Sequence, residues 1–425
     1  MKRNTEIKKT VRQHQGWVEL ALIWAGGAVA ISGFVLGGSL ASQLGFIQTV
    51  LAALIGYIIL AVLMIYSGIQ GSDLGLNTVQ IAEQVFGTKA AQFVLSIILM
   101  VSCTGWFGFQ TNLVGQSFSN FLNNYGIQLS VPISSLIWGI IMLLSAIFGL
   151  KLIAYLNKVA VPILAVVSLY VTINVISHYG LSTIFDYEGT GGSFMGGLST
   201  VIGSLAVGVV ISPDYYRFTP KRSNVVKATT AGIIPAGVLM IAIGGVLILA
   251  TGEADITKVF MDYSTPLIGM IAMLAATWTT NVTNAYSGGV AFSNLVPALK
   301  EKENLAIAIT GSIGTFLAVI GILNYFIPMM SLFTAMIPPI SGVMIASYWV
   351  INQGSPYRWK PVEGVNYIGV ISWLLGAIPA SLPTILGFFG KTIAINPLIG
   401  IVVSFISYIV LHKFFGKYGQ DKEEI

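Results

Sequence analysis

The sequence predicts an all-α protein that crosses a membrane many times. Hydrophobic residues make up 55% of its 425 residues and charged residues only 9%, whereas soluble domains carry about 25% charged residues. Apolar runs recur along nearly the whole chain, and most are close to the roughly 20 residues that a helix needs to cross a bilayer. We therefore expect a bundle of transmembrane helices.

Twelve such runs stand out, and the basic residues predict how they are oriented. If the N-terminus is cytoplasmic, 19 of the 21 Lys and Arg residues lie on the inner side, and only Lys258 and Lys391 lie outside. This asymmetry is the one that inserted helices normally show. It predicts that the tails 1–17 and 415–425 are both cytoplasmic, in a bacterial-type plasma membrane. The expected spans are 18–43, 46–69, 88–119, 131–150, 156–178, 193–212, 226–251, 265–293, 305–321, 323–350, 366–386 and 392–414.

The polar composition argues against catalysis and against several kinds of partner. Cys103 is the only cysteine, and the three histidines lie near segment ends without metal-ligand spacing. All sixteen acidic residues fall in loops or at segment ends, so the predicted bundle has no acid, base or metal constellation of the kind an enzyme needs. The net charge of +5 reflects membrane orientation rather than nucleic-acid binding. We expect a cargo that is neutral or that carries its charge in company with a cation, no cofactor beyond a coupling ion, and no obligate protein partner.

Glycine clusters interrupt two of the predicted spans. The first contains WAGGAVAISGFVLGG and the sixth contains FMGGLSTVIGSLAVG, and the two spans lie five apart. Interrupted helices at corresponding positions of two halves are typical of inverted-repeat transporters, in which unwound backbone binds substrate and ion at mid-membrane. Close helix packing through small residues is the alternative.

The third span carries a candidate substrate platform in GWFGFQ. Trp106 and Gln110 lie one helical turn apart, and Cys103 lies one turn earlier on the same face. Membrane tryptophans usually lie in the interfacial belt, so a central Trp106 is not readily explained as a membrane anchor. Its flat face is suited to stacking on a planar ring. Gln110 would then bond an amide-like edge. A packed tryptophan with a glutamine bonding another helix is equally compatible with this segment alone.

The eighth span contains TWTTNVTN, an unusual density of hydroxyl and amide groups for a membrane helix. Thr279 and Thr280 can direct both hydroxyls toward one neighbouring helix, near the carbonyl of Ala276. Neutral oxygens without a carboxylate suit a monovalent cation better than Ca²⁺. Asn281 and Asn284 remain for substrate or for interhelical hydrogen bonds. Polar contacts that only join helices are the alternative.

At the cytoplasmic end of the sixth span, the 213–225 loop contains a candidate gate. Asp214 and Arg217 are expected to bond each other or neighbouring loops there. Capping and orienting the helix end is the alternative role for both.

Four motifs resemble the nucleobase:cation symporter-1 family, and within it the cytosine permease-like branch. They are IWAGGAVAISGFVLGG, GWFG, GSLAVGVVISPDYYRF and WTTNVTNAYSGG. The resemblance implies a LeuT-like core of two inverted five-helix repeats, at 18–178 and 193–350, with two further helices in 366–414. It also implies alternating access and uptake of a nucleobase or related planar compound with a cation, commonly sodium.

The resemblance also implies roles for individual residues. The sodium ligands would be the carbonyls of Gly26, Val29 and Ala276 and the hydroxyls of Thr279 and Thr280. The substrate contacts would be Trp106, Gln110, Gly203, Ser204 and Asn281. Cys103 and Leu205 stand where the cytosine permeases have a glutamine and an aromatic residue, so the substrate stays open between cytosine, another pyrimidine, a hydroxymethylpyrimidine, a purine and a hydantoin- or allantoin-like ring. Proton coupling is the alternative to sodium.

Overall fold

A computed structural model describes residues 15–148, 150–253, 255–325, 333, 335–387 and 397–416. Every regular element in these ranges is a helix. The first half contains α1 (Trp17–Ala28), α2 (Ile31–Leu44), α3 (Phe46–Leu74), α4 (Thr78–Phe86), α5 (Ser96–Asn123), α6 (Val131–Ile147), α7 (Leu150–Tyr179) and α8 (Ser182–Phe185). The second half contains α9 (Phe194–Ser204), α10 (Ala206–Tyr216), α11 (Arg222–Thr251), α12 (Ile256–Tyr263), α13 (Pro266–Leu295), α14 (Glu303–Val319), α15 (Pro338–Ile345), α16 (Tyr367–Gly387) and α17 (Pro397–Phe415).

Each of the twelve predicted spans overlaps one of these helices or a pair of them. Six helical segments are long and apolar enough to cross a membrane, and the bent pair α1 and α2 would make a seventh. The helices α6 and α14 are apolar but shorter, and α13 has 30 residues. These figures cover the described residues, and part of the tenth predicted span and the start of the twelfth lie outside them. The count of twelve crossings therefore stays a prediction.

Besides the four-residue α8, two short helices, α4 and α12, lie in loops for which the sequence predicted no element. The nine-residue α4 begins with a capping box in which Asn77 and Gln80 each accept a hydrogen bond from the other's backbone N–H. The eight-residue α12 is capped by Asp255. Both are amphipathic and too short to span a bilayer, so a search for long apolar runs does not detect them.

Glycines allow the helix backbones to approach closely in the bundle. A Cβ on Gly37 of α2 would lie 2.1 Å from the carbonyl oxygen of Ile241, and one on Gly244 of α11 would lie 2.0 Å from that of Phe34. Helix association in membranes depends on such packing, because the lipid tails are as apolar as the side chains. The long helix α11 consequently lies against α1, α2 and α3.

The helix α13 occupies a central position between two helices that carry predicted site residues. It packs along α5 over much of its length, and it also contacts α1 at the helix break. Nineteen of its 30 residues are buried, which accounts for its tolerance of polar side chains. This position lets one helix supply groups to both predicted sites.

Candidate functional site

The first predicted break in a helix is present and leaves backbone carbonyls without intrahelical partners. The helix α1 ends at Ala28, Val29 and Ala30 adopt extended or near-extended conformations, and α2 starts at Ile31 with a bend of 56°. The last carbonyls of a helix have no N–H one turn ahead to bond them. The carbonyls of Gly26 and Val29 are therefore available to other groups.

The hydroxyls of α13 meet these carbonyls. Thr280 Oγ1 lies 2.9 Å from Gly26 O, 3.1 Å from Val29 O and 3.3 Å from Ala276 O. Thr279 Oγ1 lies 2.9 Å from Ala276 O and 3.2 Å from Gly26 O. The structure thus brings together all five residues predicted to bind sodium.

The electrostatics of this cluster suit a small cation. The Thr279 and Thr280 hydroxyls have one hydrogen each, so together they can satisfy two of the carbonyl oxygens of Gly26, Val29 and Ala276. Acceptor oxygens therefore outnumber the hydroxyl hydrogens in the cluster, which is an arrangement that suits an ion with all-oxygen ligands. Among the described residues, no three His, Cys, Asp or Glu side chains form a group that could hold a metal ion. The ligands present are neutral, which favours a monovalent ion over Ca²⁺.

The predicted substrate residues on α5 differ in exposure. Trp106 is half-buried, and its ring lies edge-on to that of Phe109 with centroids 5.7 Å apart. Gln110 is buried, and its Oε1 has no hydrogen-bond partner among the described residues. Cys103 is fully buried. It packs against α13, because a Cβ added to Gly288 would lie 3.4 Å from the Cβ of Cys103.

The second predicted break is much smaller than the first. Only Leu205 departs from helical geometry between α9 and α10, and the two helices together form one 23-residue apolar segment. Gly203, Ser204 and Leu205 are half-buried. The Ser204 hydroxyl donates to Val201 O at 2.7 Å, so it bonds within its own helix in this structure.

Two asparagines on α13 face different surroundings. Asn281 is fully buried, and its Nδ2 lies 2.8 Å from Thr111 Oγ1 and 3.1 Å from Phe107 O on α5. Asn284 is half-buried, and the described residues provide no hydrogen-bond partner for its side chain. Asn284 is therefore the α13 amide that is free to meet a ligand.

Asp214 and Arg217 bond each other through the Asp214 backbone, because Arg217 Nε donates to Asp214 O at 3.1 Å, and their side chains bond other elements. Asp214 Oδ1 accepts the backbone N–H of Thr78 at 2.7 Å, at the N-terminus of α4, where the helix dipole favours a negative charge. Arg217 Nη2 donates to Tyr286 Oη at 3.1 Å and to Glu303 Oε1 at 3.4 Å. Both residues therefore join the end of α10 to neighbouring elements, and their role as a gate stays a prediction.

The sequence did not indicate a further cluster on the same side of the bundle. Arg222 Nη2 lies 2.6 Å from Asp73 Oδ2, and the Tyr348 hydroxyl donates to the same oxygen. The Arg222 guanidinium also lies over the ring of Trp349. The four residues connect α3, α11 and the turn after α15, and their long sequence separations leave no local signal.

The carboxyl end of α4 is bonded by the segment that precedes α16. Glu83 O accepts from Val362 N at 3.2 Å. The backbone N–H of Asn366 donates to Phe86 O at 2.8 Å, and the Asn366 side-chain Nδ2 donates to Gln84 O at 3.2 Å. Glu83 O also accepts the N–H of Gly87 at 3.1 Å, whereas the carbonyls of Gln84 and Phe86 lie in the last turn of the helix, where intrahelical donors are lacking. Residues 362–366 thus act as the C-terminal cap of α4.

Comparisons with known proteins identify the family of this chain. Residues 7–411 match the family described as permeases for cytosine/purines, uracil, thiamine and allantoin. The cytosine permease of Escherichia coli K12 is 25% identical over 386 residues, covering 85% of this chain and 87% of that protein. The hydantoin permease of Microbacterium maritypicum is 23% identical over 390 residues, covering 84% and 79%.

Solved structures show the same fold. Mhp1, a nucleobase-cation-symport-1 family transporter in a closed conformation with bromovinylhydantoin bound, matches with a TM-score of 0.79 at 18% identity, covering 96% of this chain and 94% of that one. A Na⁺-coupled sialic acid symporter matches with a TM-score of 0.73 at 12% identity, covering 94% and 90%. The relatives are permeases and transporters, which confirms that the chain is not an enzyme. Since the family match spans almost the whole chain, this multi-pass membrane protein belongs to the nucleobase:cation symporter-1 family of permeases.

Proposed function

We propose that the protein is a sodium-coupled symporter that imports a neutral planar nucleobase, cytosine or a related pyrimidine or purine, by alternating access. The observation that carries the sodium proposal is the cluster of five oxygens from Gly26, Val29, Ala276, Thr279 and Thr280 at the helix break. Sodium bound there joins α1 to α13. The ion thereby stabilises the arrangement that receives substrate.

The proposed substrate site lies between α5, the Leu205 break and α13. Trp106 is the stacking platform, and Gln110 provides an unpartnered acceptor for a ring N–H. Cys103, Gly203, Ser204 and Leu205 shape the pocket, and Asn284 contributes a free amide. Trp106 and Asn284 are half-buried in stretches whose neighbouring residues are mostly buried, which supports their contact with a cavity.

A hydroxymethylpyrimidine, a hydantoin or an allantoin-like ring is the alternative cargo, with proton coupling as the alternative drive. Hydantoin and allantoin permeases are among the relatives, at 22% to 23% identity. These compounds share with nucleobases a flat ring edged by amide-like groups. The stacking and amide contacts proposed here suit either class.

For topology, we propose twelve spans with both termini in the cytoplasm of a bacterial-type membrane, arranged as two inverted repeats plus α16 and α17. Asp214 and Arg217 then belong to the inner gate. Their bonds to α4 and to Tyr286 and Glu303 hold the inner end of α10 in place. The gate must release these bonds before the cargo leaves on the cytoplasmic side.

A binding experiment on purified protein tests the proposal. Cytosine, uracil, hypoxanthine, hydantoin and allantoin are titrated over a sodium series at fixed ionic strength and fixed pH. We expect at least one ring to bind more tightly with sodium, by a factor of about 5 to 150, the usual range for coupled sites. Binding that ignores sodium and follows pH would replace sodium with a proton as the coupling ion.

A further inference from the structure

The amide of Asn281 is committed to contacts between helices. Its Nδ2 donates to Phe107 O and Thr111 Oγ1 on α5 and lies 3.4 Å from Met142 Sδ on α6. Its side chain is 0% exposed. Both amide hydrogens therefore have acceptors on α5, and neither is available to a substrate.

The residues joined by these bonds are sequence neighbours of the proposed ion and substrate residues. Asn281 directly follows Thr280, whose hydroxyl lies among the proposed sodium ligands. Phe107 directly follows Trp106, the proposed substrate platform, and Thr111 directly follows Gln110. A single side chain thus joins the backbone next to the ion site to the backbone next to the substrate site.

The burial of this amide is costly. Asn281 Oδ1 has no partner among the described residues, and a buried polar group without a hydrogen bond destabilises the fold. Hydrogen bonds that only join membrane helices contribute little each. Helix association alone is therefore a weak reason for an asparagine at this position, and a role in transport is a stronger one.

We infer that the Thr111–Asn281 hydrogen bond couples the sodium site to the substrate site, with Thr111 as a positioning residue that touches neither ligand. This inference rests on the proposed function. Sodium bound at Thr280 fixes the rotation of α13 about its axis, and the Asn281 amide passes that constraint to the face of α5 that carries Trp106 and Gln110. Without the bond, Asn281 keeps its Phe107 contact with α5 and each site still binds its ligand, but most of the mutual strengthening is lost.

The test uses Thr111→Val, which keeps the side-chain shape and removes the acceptor oxygen. Cytosine, hydantoin and allantoin are titrated with and without sodium. The ratio of the two dissociation constants, without and with sodium, is called the sodium factor. The ring with the largest sodium factor in the parent is used for all variants. We expect Thr111→Val to bind that ring in the absence of sodium within about twofold of the parent and to lose most of the factor of about 5 to 150. Thr111→Ser, which restores the oxygen, should recover the factor.

The matched control is Thr310→Val on α14. Thr310 is also buried, but its hydroxyl bonds Ala306 O at 3.0 Å within its own helix. The sodium factor of the Thr310→Val protein should therefore equal that of the parent. If Thr111→Val is not recovered folded, Thr111→Ala removes the same oxygen without a branched side chain.

Three results would overturn the inference. The first is a folded Thr111→Val or Thr111→Ala protein that keeps the parent's sodium factor. The second is equal loss of affinity with and without sodium, which would identify the pair as part of the substrate pocket itself. The third is a parent that shows no sodium factor, which would overturn the proposed function as well, so the two failures are distinguished by the parent's own response.

Discussion

Replacing Thr280 with valine is the most direct perturbation of the proposed ion site. Thr280 supplies one of the five clustered oxygens, and its Oγ1 lies within 3.3 Å of three carbonyl oxygens. A hydrogen bond to a charged group contributes about 1.5–3 kcal/mol, and we take this range as the scale for one neutral oxygen that ligates a cation. At 1.4 kcal/mol per tenfold change, the variant should bind sodium about 10- to 150-fold more weakly.

The assay is the sodium concentration that gives half of the maximal gain in substrate affinity, measured at fixed ionic strength and pH. Thr277→Val is the control on the same helix. Thr277 is fully buried, and its hydroxyl has no partner among the described residues, so its loss should leave the sodium response unchanged and the thermal stability equal or higher. A Thr280→Val protein with the parent's sodium response would refute the site. Equal damage from Thr277→Val would attribute the effect to α13 packing.

Three further predictions concern the substrate, the topology and the packing. Trp106→Ala should weaken substrate binding by about 1–3 kcal/mol through lost stacking, Trp106→Phe should retain part of it, and a folded alanine variant with full affinity would make Trp106 a packing residue. Ser223→Cys should resist an impermeant maleimide added to sealed cells and should react once the cells are opened. Native Cys103 is buried, so it should not contribute to the labelling. Labelling from outside would invert the topology. Gly37→Ala should destabilise the protein by about 1–3 kcal/mol, measured by thermal unfolding, because its Cβ would lie 2.1 Å from a carbonyl oxygen of α11; Gly196→Ala, at an uncrowded position, should not.

The features that the sequence predicted best depend on local pattern. Long apolar runs produce long helices because a buried backbone in lipid must satisfy its own hydrogen bonds. The glycine-rich break before Ile31 and the adjacent Thr279 and Thr280 were both visible, and they meet in the fold. The small break at Leu205 was overestimated, because glycines mark where a helix can open without fixing how far it does.

The features that were missed depend on distance along the chain. Asp214 bonds Thr78, 136 residues away, and Arg217 bonds Glu303, 86 residues away. Neither partner has a local signal. For Asn281, the sequence left substrate binding and interhelical bonding open, and the choice depends on the rotation of α13 about its axis, which residue spacing does not determine.

The cap on α4 connects the segment that leads into the C-terminal helices with Asp214 at the end of α10. Val362 and Asn366, which bond the last carbonyls of α4, lie on the stretch that leads into α16. The opposite end of α4 bonds Asp214. Truncating the chain before residue 362 would therefore remove these bonds from the carboxyl end of α4 and loosen the helix that bonds Asp214 of the proposed gate. A shortened protein should then leak substrate inward, measured as sodium-independent uptake, even with the proposed ion site intact.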